Sequence, residues 1–127
     1  MREKLPHNAE IHLVSMENAA TCMEQIENVL RSLPYAAYDV VIIDGLYRYE
    51  AIKVALKCIS DTGVIICDDS DGYGFYEGFR DAGLRKVDFF GNAPGVLLPR
   101  CTSIYFKAPS FIFNAAWPTP VIAHDKE

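Results

Sequence analysis

The stretch that most strongly constrains the fold of this chain is VIICDDSD, residues 64–71. Four apolar residues, three of them β-branched, pass directly into a segment with three carboxylates in four positions. A fully apolar run of this kind predicts a strand buried on both faces, as in parallel sheets. Carboxylates this close repel one another and raise each other's pKa unless a positive group lies between them. The sequence therefore predicts a buried strand that ends at a charged site.

A second apolar run, VVIID at residues 40–44, also ends in a carboxylate. Its β-branched residues favour another buried parallel strand. Helical spacing of apolar residues predicts one helix over residues 18–33, which Pro34 ends, and another over residues 49–59. The residues Asp, Thr and Gly at 61–63 then predict a turn before the second strand.

Weaker patterns predict the rest of the chain. Residues 75–82 show helical spacing, and Gly83 is a natural C-terminal cap for that helix. Residues 91–99 hold two glycines and two prolines, so they are predicted to form a loop. Further strands are predicted at residues 11–14, 86–90, 102–107 and, in the proline-containing tail, 111–113.

The predicted element order is β-α-β-α-β-α-β-β, which indicates an α/β domain with a mostly parallel sheet. The last two strands are joined by a loop without a helix, so they are predicted to be antiparallel neighbours. A single domain is expected over residues 1–127, with its core at about 9–107 and a tail at 108–127.

The composition narrows the class of protein. Half of the 127 residues are hydrophobic, which is enough for a packed core. No apolar run approaches the roughly 18 residues of a membrane span, and the N-terminus lacks the apolar stretch of a signal peptide. The net charge of −5 argues against a nucleic-acid partner. Four widely spaced cysteines without a CxxC pair indicate reduced thiols in a cytoplasmic protein.

The carboxylates at the predicted strand ends are expected to converge. Asp44 ends one strand and Asp68 and Asp69 end another, so neighbouring parallel strands would bring them to within roughly 5 Å. Oxygen-rich sites of this kind suit a hard cation such as Mg²⁺ or Ca²⁺. Arg48 could instead pair with Asp44 or Asp68 and neutralise the cluster without a metal. Each Asp could also be an ordinary turn residue or helix cap, and Asp71 is expected to be a cap or solvated.

A family resemblance rests on the order YDVVIIDG, helix, GVIICDDSD, then VDFFG and TSIYF. This order, over residues 5–107, resembles the second half of class I S-adenosylmethionine-dependent methyltransferases. The resemblance implies a partial Rossmann-like sheet, an S-adenosylmethionine cofactor and a small-molecule methyl acceptor. It also implies the strand order 3-2-1-4-5-7-6 of the intact fold, in which the seventh strand is antiparallel.

The metal-dependent O-methyltransferases of this fold bind a divalent ion at three positions that match Asp44, Asp68 and Asp69. The third ligand in that group is usually Asn, and the Lys that often serves as base a few residues after the first Asp is absent here. The resemblance therefore allows metal use but does not support catechol chemistry. It makes Asp44 and Asp68 the candidate catalytic residues.

The cofactor site that the resemblance implies is incomplete. The family holds the cofactor with a Gly-rich turn after its first strand, and no such turn occurs in this sequence. The rim of the site remains: Ser15, Met16 and Glu17 match the segment that touches adenine, while Asp44 and Gly45 match the methionine end. The sequence is therefore expected to encode an incomplete methyltransferase with little activity alone.

Without the first strands of that fold, the edge of VVIID would be open to pairing. We expect residues 11–14 or a second copy of the chain to cover it, and the second option predicts a homo-oligomer. Two other functions stay open, an enzyme completed by a partner chain and a non-catalytic oligomerisation or binding module. A phospho-acceptor receiver domain is disfavoured, because receivers place the acidic pair before the lone Asp, and here Asp44 precedes Asp68 and Asp69.

Overall fold

The computed structural model describes residues 6, 8–72, 74–92 and 97–107 of the chain. Within those residues the chain forms three helices and four strands, which confirms the α/β class. In chain order the elements are α1 (Ala19–Ser32), β1 (Tyr38–Ile43), α2 (Arg48–Cys58), β2 (Ile59–Cys67), α3 (Phe75–Arg80), β3 (Arg85–Gly91) and β4 (Arg100–Phe106). The strand predicted at 111–113 and the rest of the tail lie outside the described residues.

The four strands form one open sheet in the order β1-β2-β4-β3. β1 and β2 are parallel neighbours, with Ile43 opposite Cys67. β4 is antiparallel to both β2 and β3, so the prediction of an antiparallel final pair is confirmed. The prediction of a mostly parallel sheet is wrong, because β4 inserts between β2 and β3 and leaves a single parallel pair.

The predicted helices are all present, close to their predicted bounds. α1 is capped by Asn18, whose side chain accepts a hydrogen bond from the Thr21 N–H at 2.9 Å. Pro34 follows shortly after its last residue and prevents its continuation. After α3, Gly83 adopts the left-handed conformation that favours glycine, with φ at +70°. Among the helices in the described ranges, none has the length and apolar character of a membrane span.

The strand predicted at residues 11–14 is wrong. Residues 9–16 have no regular secondary structure, and Leu13 is 94% exposed. The apolar pattern finds no partner strand, and the segment is held instead by Ser15, whose N–H donates to Gln25 Oε1 at 2.6 Å. The segment therefore does not pair with β1.

The turn predicted at residues 61–63 is also wrong, because these residues belong to β2. The pairing of β2 with β1 shifts register between Tyr38 and Val40, so β2 bulges at this point. Gly63 fits the bulge, because a Cβ there would lie 2.9 Å from the carbonyl oxygen of Asp39. Gly63, which suggested a turn, thus lies within the continuous strand β2 and allows its backbone to approach that of β1 closely.

The main cluster of buried apolar residues lies on one face of the sheet. α2 packs there against β1 and β2, α3 packs against α2, and α1 also packs against α2. The rings of Phe79 in α3 and Tyr105 in β4 lie with their centroids 4.5 Å apart. Further buried side chains of this core are Ile43, Ile52, Ala55, Ile59, Ile65, Cys67 and Phe75. This packing fixes the start of α2 against the ends of β1 and β2.

The opposite face of the sheet carries an aliphatic row that crosses all four strands. Ile42, Ile66, Ile104 and Val87 lie opposite one another in register. At the two ends of the row, Ile42 is 66% and Val87 is 41% exposed. α2 and α3 pack on the other face, so this aliphatic row remains partly open.

Candidate functional site

The structure brings Asp44, Asp68 and Asp69 together around one arginine. Arg48 Nη2 lies 2.9 Å from Asp44 Oδ1. Its Nη1 lies 3.5 Å from Asp68 Oδ2 and 3.6 Å from Asp69 Oδ2. The Arg48 side chain is only 11% exposed, so solvent and salt screen it weakly. The positive group between these carboxylates is therefore Arg48, one of the two alternatives that the sequence left open.

Arg48 also ties the backbone of the site together. Its Nε donates to the Gly45 carbonyl oxygen at 2.9 Å, and its Nη1 donates to the Asp68 carbonyl oxygen. A guanidinium group is planar and donates in fixed directions, so contacts through three of its nitrogens fix its orientation. Because Arg48 is the first residue of α2, it joins the ends of two strands to the start of a helix.

Asp69 adopts a left-handed backbone conformation, with φ at +49°. It is the one residue other than glycine with a positive φ in the ranges that the structure describes. This conformation costs most residues about 1 kcal/mol, although Asp tolerates it better than most. The Asp69 carboxylate lies between Arg48 and Arg100, whose Nε is 3.7 Å from Asp69 Oδ1. Pairing with two guanidinium groups thus offsets the backbone strain at this turn.

Ser70 anchors the acidic turn to β4. Its N–H donates to the Cys101 carbonyl oxygen at 2.7 Å, and its hydroxyl lies 2.6 Å from the hydroxyl of Ser103. Ser103 is 1% exposed and donates to Asp88 Oδ1 at 2.6 Å. Lys86 Nζ lies 2.6 Å from Asp88 Oδ2. The hydrogen bond from Lys86, and then that from Ser103, lowers the pKa of Asp88.

Sequence reasoning missed this network of Ser70, Ser103 and Asp88. Ser103 and Asp88 meet because they lie opposite each other in the pairing of β3 with β4. Contacts between the two strands set that register, so the local sequence of either strand does not predict it. The one local signal is the charged residue inside the apolar segment VDFF, which marks Asp88 as a residue in need of a partner.

An apolar cavity of about 430 Å³ opens beside the cluster, between α1, α2 and β1. Asp44, Gly45 and Arg48 form its polar part. Its apolar lining includes Val14, Met16, Ile26, Leu30, Val41 and Val54. A cavity of this size with an apolar wall and a few polar groups is typical of small-molecule sites.

Three of the five residues predicted to contact a cofactor line this cavity: Met16, Asp44 and Gly45. The Tyr47 hydroxyl donates to the Met16 carbonyl oxygen at 3.0 Å, which holds the N-terminal segment near the end of β1. Ser15 and Glu17 are not among the lining residues, and the Glu17 N–H donates to the Ser15 hydroxyl at 3.3 Å. Of the three residues predicted to touch adenine, Met16 is therefore the one that lines the same cavity as Asp44 and Gly45.

The residues at the carboxylates fit a metal ion poorly. Asp44, Asp68 and Asp69 share Arg48, so a metal ion bound by all three carboxylates would have to displace this guanidinium group. Across the described ranges, no group of three His, Cys, Asp or Glu side chains is arranged to hold a metal ion. We therefore derive no chemistry through Mg²⁺ or Ca²⁺ at this site.

A second cleft, of about 510 Å³, lies on the other side of the acidic turn. Phe89 and Phe90 line it and are 55% and 71% exposed. Its polar lining consists of Asp68, Asp69, Asn92, Arg100 and Thr102. The carboxylates around Arg48 thus border two openings, one apolar and one more polar.

The chain matches no protein-family model, and no curated protein sequence matches it significantly. The resemblance to methyltransferases therefore rests on the sequence motifs alone. A function has to be argued from the residues of the site.

Proposed function

We propose that this chain is a methyltransferase-like module that supplies part of an S-adenosylmethionine site and has little methyl-transfer activity by itself. The observation that carries the proposal is the cavity beside β1, which combines Met16 with Asp44 and Gly45 in one lining. The resemblance assigns these residues to the two ends of the cofactor. The strand order β1-β2-β4-β3 adds support, because it corresponds to positions 4-5-7-6 of the methyltransferase sheet.

The cavity suits the chemistry of this cofactor in two respects. Its apolar wall offers a surface against which an adenine ring can pack. The adjoining cluster contains three carboxylates but only two guanidinium groups, those of Arg48 and Arg100. The cluster therefore keeps a net negative charge, which attracts the sulfonium and ammonium groups of S-adenosylmethionine.

The two candidate catalytic carboxylates have different roles in this proposal. Asp44 lines the cavity and its side chain is 60% exposed, so it is the one that contacts the cationic end of the cofactor. The Asp68 carboxylate contacts Arg48 and accepts a hydrogen bond from Thr102 Oγ1 at 3.2 Å. Asp68 therefore acts as a positioning residue. The cofactor supplies the electrophilic methyl group, and the chain's contribution is to orient it toward a small-molecule acceptor.

Low activity is expected because the site is open along β1. No strand in the described part of the chain pairs with the outer edge of β1, where the first strand of the family's sheet would lie. The Gly-rich turn that follows that first strand in the family does not occur in the sequence. Fewer contacts to the cofactor mean weaker binding, and we expect a dissociation constant of about 1 mM, equivalent to about 4 kcal/mol.

Titration with S-adenosylmethionine, followed by two-dimensional NMR of the ¹⁵N-labelled chain, tests the proposal. We expect the amide shifts to concentrate at Met16, Asp44 and Gly45, and Asp44→Ala to weaken binding by at least about fivefold. Asp61→Ala is the matched control, because this 97% exposed carboxylate lies toward the start of β2. No shifts at about 5 mM cofactor, or equal effects of the two substitutions, would contradict the proposal.

A non-catalytic oligomerisation or binding module is the second candidate function. It is favoured by the outer edge of β1, where Val40 and Ile42 are 44% and 66% exposed. A chain that self-associates but gives no cofactor-dependent shifts would support this candidate over the first.

A further inference from the structure

The outer edge of β1 presents hydrogen-bonding groups that point away from the sheet. The Ile43 carbonyl oxygen accepts from the Asp68 N–H at 3.1 Å, so the backbone groups of Ile43 point toward β2. Successive residues of a strand direct their backbone groups to opposite sides. Those of Val40 and Ile42 therefore point outward, and the described part of the chain places no strand on that side.

This edge has few of the features that protect free edges from pairing, because Asp39 is the one charged residue of β1. Natural edge strands carry charges, prolines or bulges that prevent the addition of another strand. β3, at the other edge of the sheet, has three charged residues among its first four. In β1, residues 40–43 are all aliphatic. The two edges of the sheet therefore differ, and that of β3 carries more charge than that of β1.

We infer that a second copy of this chain pairs with β1, antiparallel and about a two-fold axis, with Val41 opposite the partner's Val41. In this register Val40 and the partner's Ile42 exchange two backbone hydrogen bonds, and the symmetry adds two more. This register is the one that uses both outward-facing residues within 40–43 on both copies. The two four-stranded sheets then form one continuous sheet of eight strands.

The side chains are self-complementary in this register. Residues directly opposite each other in an antiparallel pair lie on the same face, so Ile42 meets the partner's Val40 on the face of the aliphatic row. The row therefore continues into the second copy. Neither Asp39 nor Asp44 lies opposite a carboxylate of the partner, so the net charge of −5 on each chain is not concentrated at the interface.

The pairing is adjacent to the cavity but independent of any cofactor. Val40, Val41 and Ile42 all line the cavity, so a partner strand that pairs with β1 lies against the part of the cavity wall that these residues form. The backbone hydrogen bonds of the pairing involve Val40 and Ile42, and no strand among the described residues pairs with that side of β1. Failure of cofactor binding therefore leaves this inference intact, and the two are tested separately.

Cysteine crosslinking of the full chain tests the register. Val41→Cys creates a non-hydrogen-bonded cross-strand pair with Cα atoms about 4.5 Å apart, within disulfide range. Val40→Cys is the matched control, because its two copies are diagonal neighbours about 8 Å apart. After mild oxidation we expect several-fold more reducible dimer from V41C than from V40C or the wild type, whose four cysteines set the baseline. Equal yields from the three proteins would overturn the register.

Light scattering from about 5 to about 500 µM tests the association itself. We expect the wild type to dimerise and Ile42→Pro to stay monomeric, since the proline removes an outward N–H without removing a bond to β2. Val87→Lys, at the far end of the same aliphatic row, should leave the dimer unchanged. A wild-type monomer at about 500 µM, or a dimer lost in V87K but retained in I42P, would overturn the inference. If I42P does not fold, the crosslinking yields decide.

Discussion

Arg48 and Asp44 are ion-paired at 2.9 Å across the turn that joins β1 to α2. The same guanidinium group contacts Asp68 and Asp69 at the end of β2. One cation therefore joins the ends of two strands to the start of a helix. The repulsion expected among three clustered carboxylates is relieved by a residue of the chain itself.

Arg48→Met is expected to lower the free energy of unfolding by about 2–3 kcal/mol. The substitution removes the cation from three carboxylates and removes the donor to the carbonyl oxygens of Gly45 and Asp68. Partial exposure of the carboxylates keeps the loss below that of a fully buried pair. Urea unfolding measures it. Arg31→Met is the control: this 72% exposed side chain pairs with Glu27, and its loss should cost about 0.5 kcal/mol or less. Similar losses in the two variants would contradict a central role for Arg48.

Calorimetric titration with Ca²⁺ or Mg²⁺ is expected to give no binding to the wild type tighter than about 1 mM. Arg48 occupies the carboxylates, so a metal ion would have to displace it. Arg48→Met should bind Ca²⁺ more tightly than the wild type, because Asp44, Asp68 and Asp69 lose their internal cation. Micromolar binding by the wild type, together with a metal-dependent rise in its Tm, would instead favour a metal site.

Local sequence patterns were enough to predict the centre of the fold and the cluster. The apolar runs at residues 40–43 and 64–67 are long and β-branched, and the helix between them makes a parallel neighbour arrangement the simplest connection. That arrangement brings Asp44 to Asp68 at one edge of the sheet. Arg48 could be predicted only as one of two alternatives, the other being a metal ion, because it lies between Asp44 and the predicted helix that follows.

The parts that could not be predicted depend on pairing between distant strands. No local pattern places β4 between β2 and β3, and that order was implied only by the family resemblance. The meeting of Ser103 with Asp88 depends on the register of β3 with β4 and could not be derived. The pattern at residues 11–14 predicts a strand, but a strand forms only where a partner presents its backbone. The turn residues at 61–63 were misassigned for a related reason, because their use in a bulge depends on β1.

Gly63→Ala is expected to lower the free energy of unfolding by about 2 kcal/mol. The new Cβ would lie 2.7 Å from Ile59 Cδ1 and 2.9 Å from the Asp39 carbonyl oxygen, and the backbone oxygen cannot move away easily. Gly91→Ala is the control, since among the described residues no heavy atom outside its chain neighbours lies within 4 Å of its new Cβ. The control should change stability by no more than about 0.5 kcal/mol. Thermal unfolding of both variants measures the difference, and equal changes would rule out the close approach at the bulge.

The decrease in the free energy of unfolding at acidic pH should depend on Asp88. Hydrogen bonds from Lys86 and then from Ser103 lower its pKa below the ordinary value of 3.8. A carboxyl whose pKa is lower in the folded state contributes stability above its unfolded-state pKa, and that stability is lost as the pH falls through the folded-state pKa. Asp88→Asn cannot titrate, so its stability should fall less steeply than that of the wild type below about pH 4. Urea unfolding at a series of acidic pH values measures the two slopes, and parallel curves would contradict the assignment.

Ser103→Ala tests whether the buried hydroxyl holds the acidic turn in place. The substitution removes the hydroxyl that donates to Asp88 Oδ1 and one of the two partners of the Ser70 hydroxyl, which also donates to the Cys101 carbonyl oxygen at 3.1 Å. Ser103 is 1% exposed, so we expect a loss of about 1–2 kcal/mol at pH 7. Ser60→Ala is the matched control, because Ser60 also donates to an Asp, at 3.0 Å, but in an exposed position. Its loss should be about 0.5 kcal/mol or less, since water replaces the exposed bond. If the two substitutions cost the same, burial adds nothing to the Ser103 bond, and the turn is held by the bonds of Ser70 to the Cys101 carbonyl oxygen and by the pairs with Arg48 and Arg100.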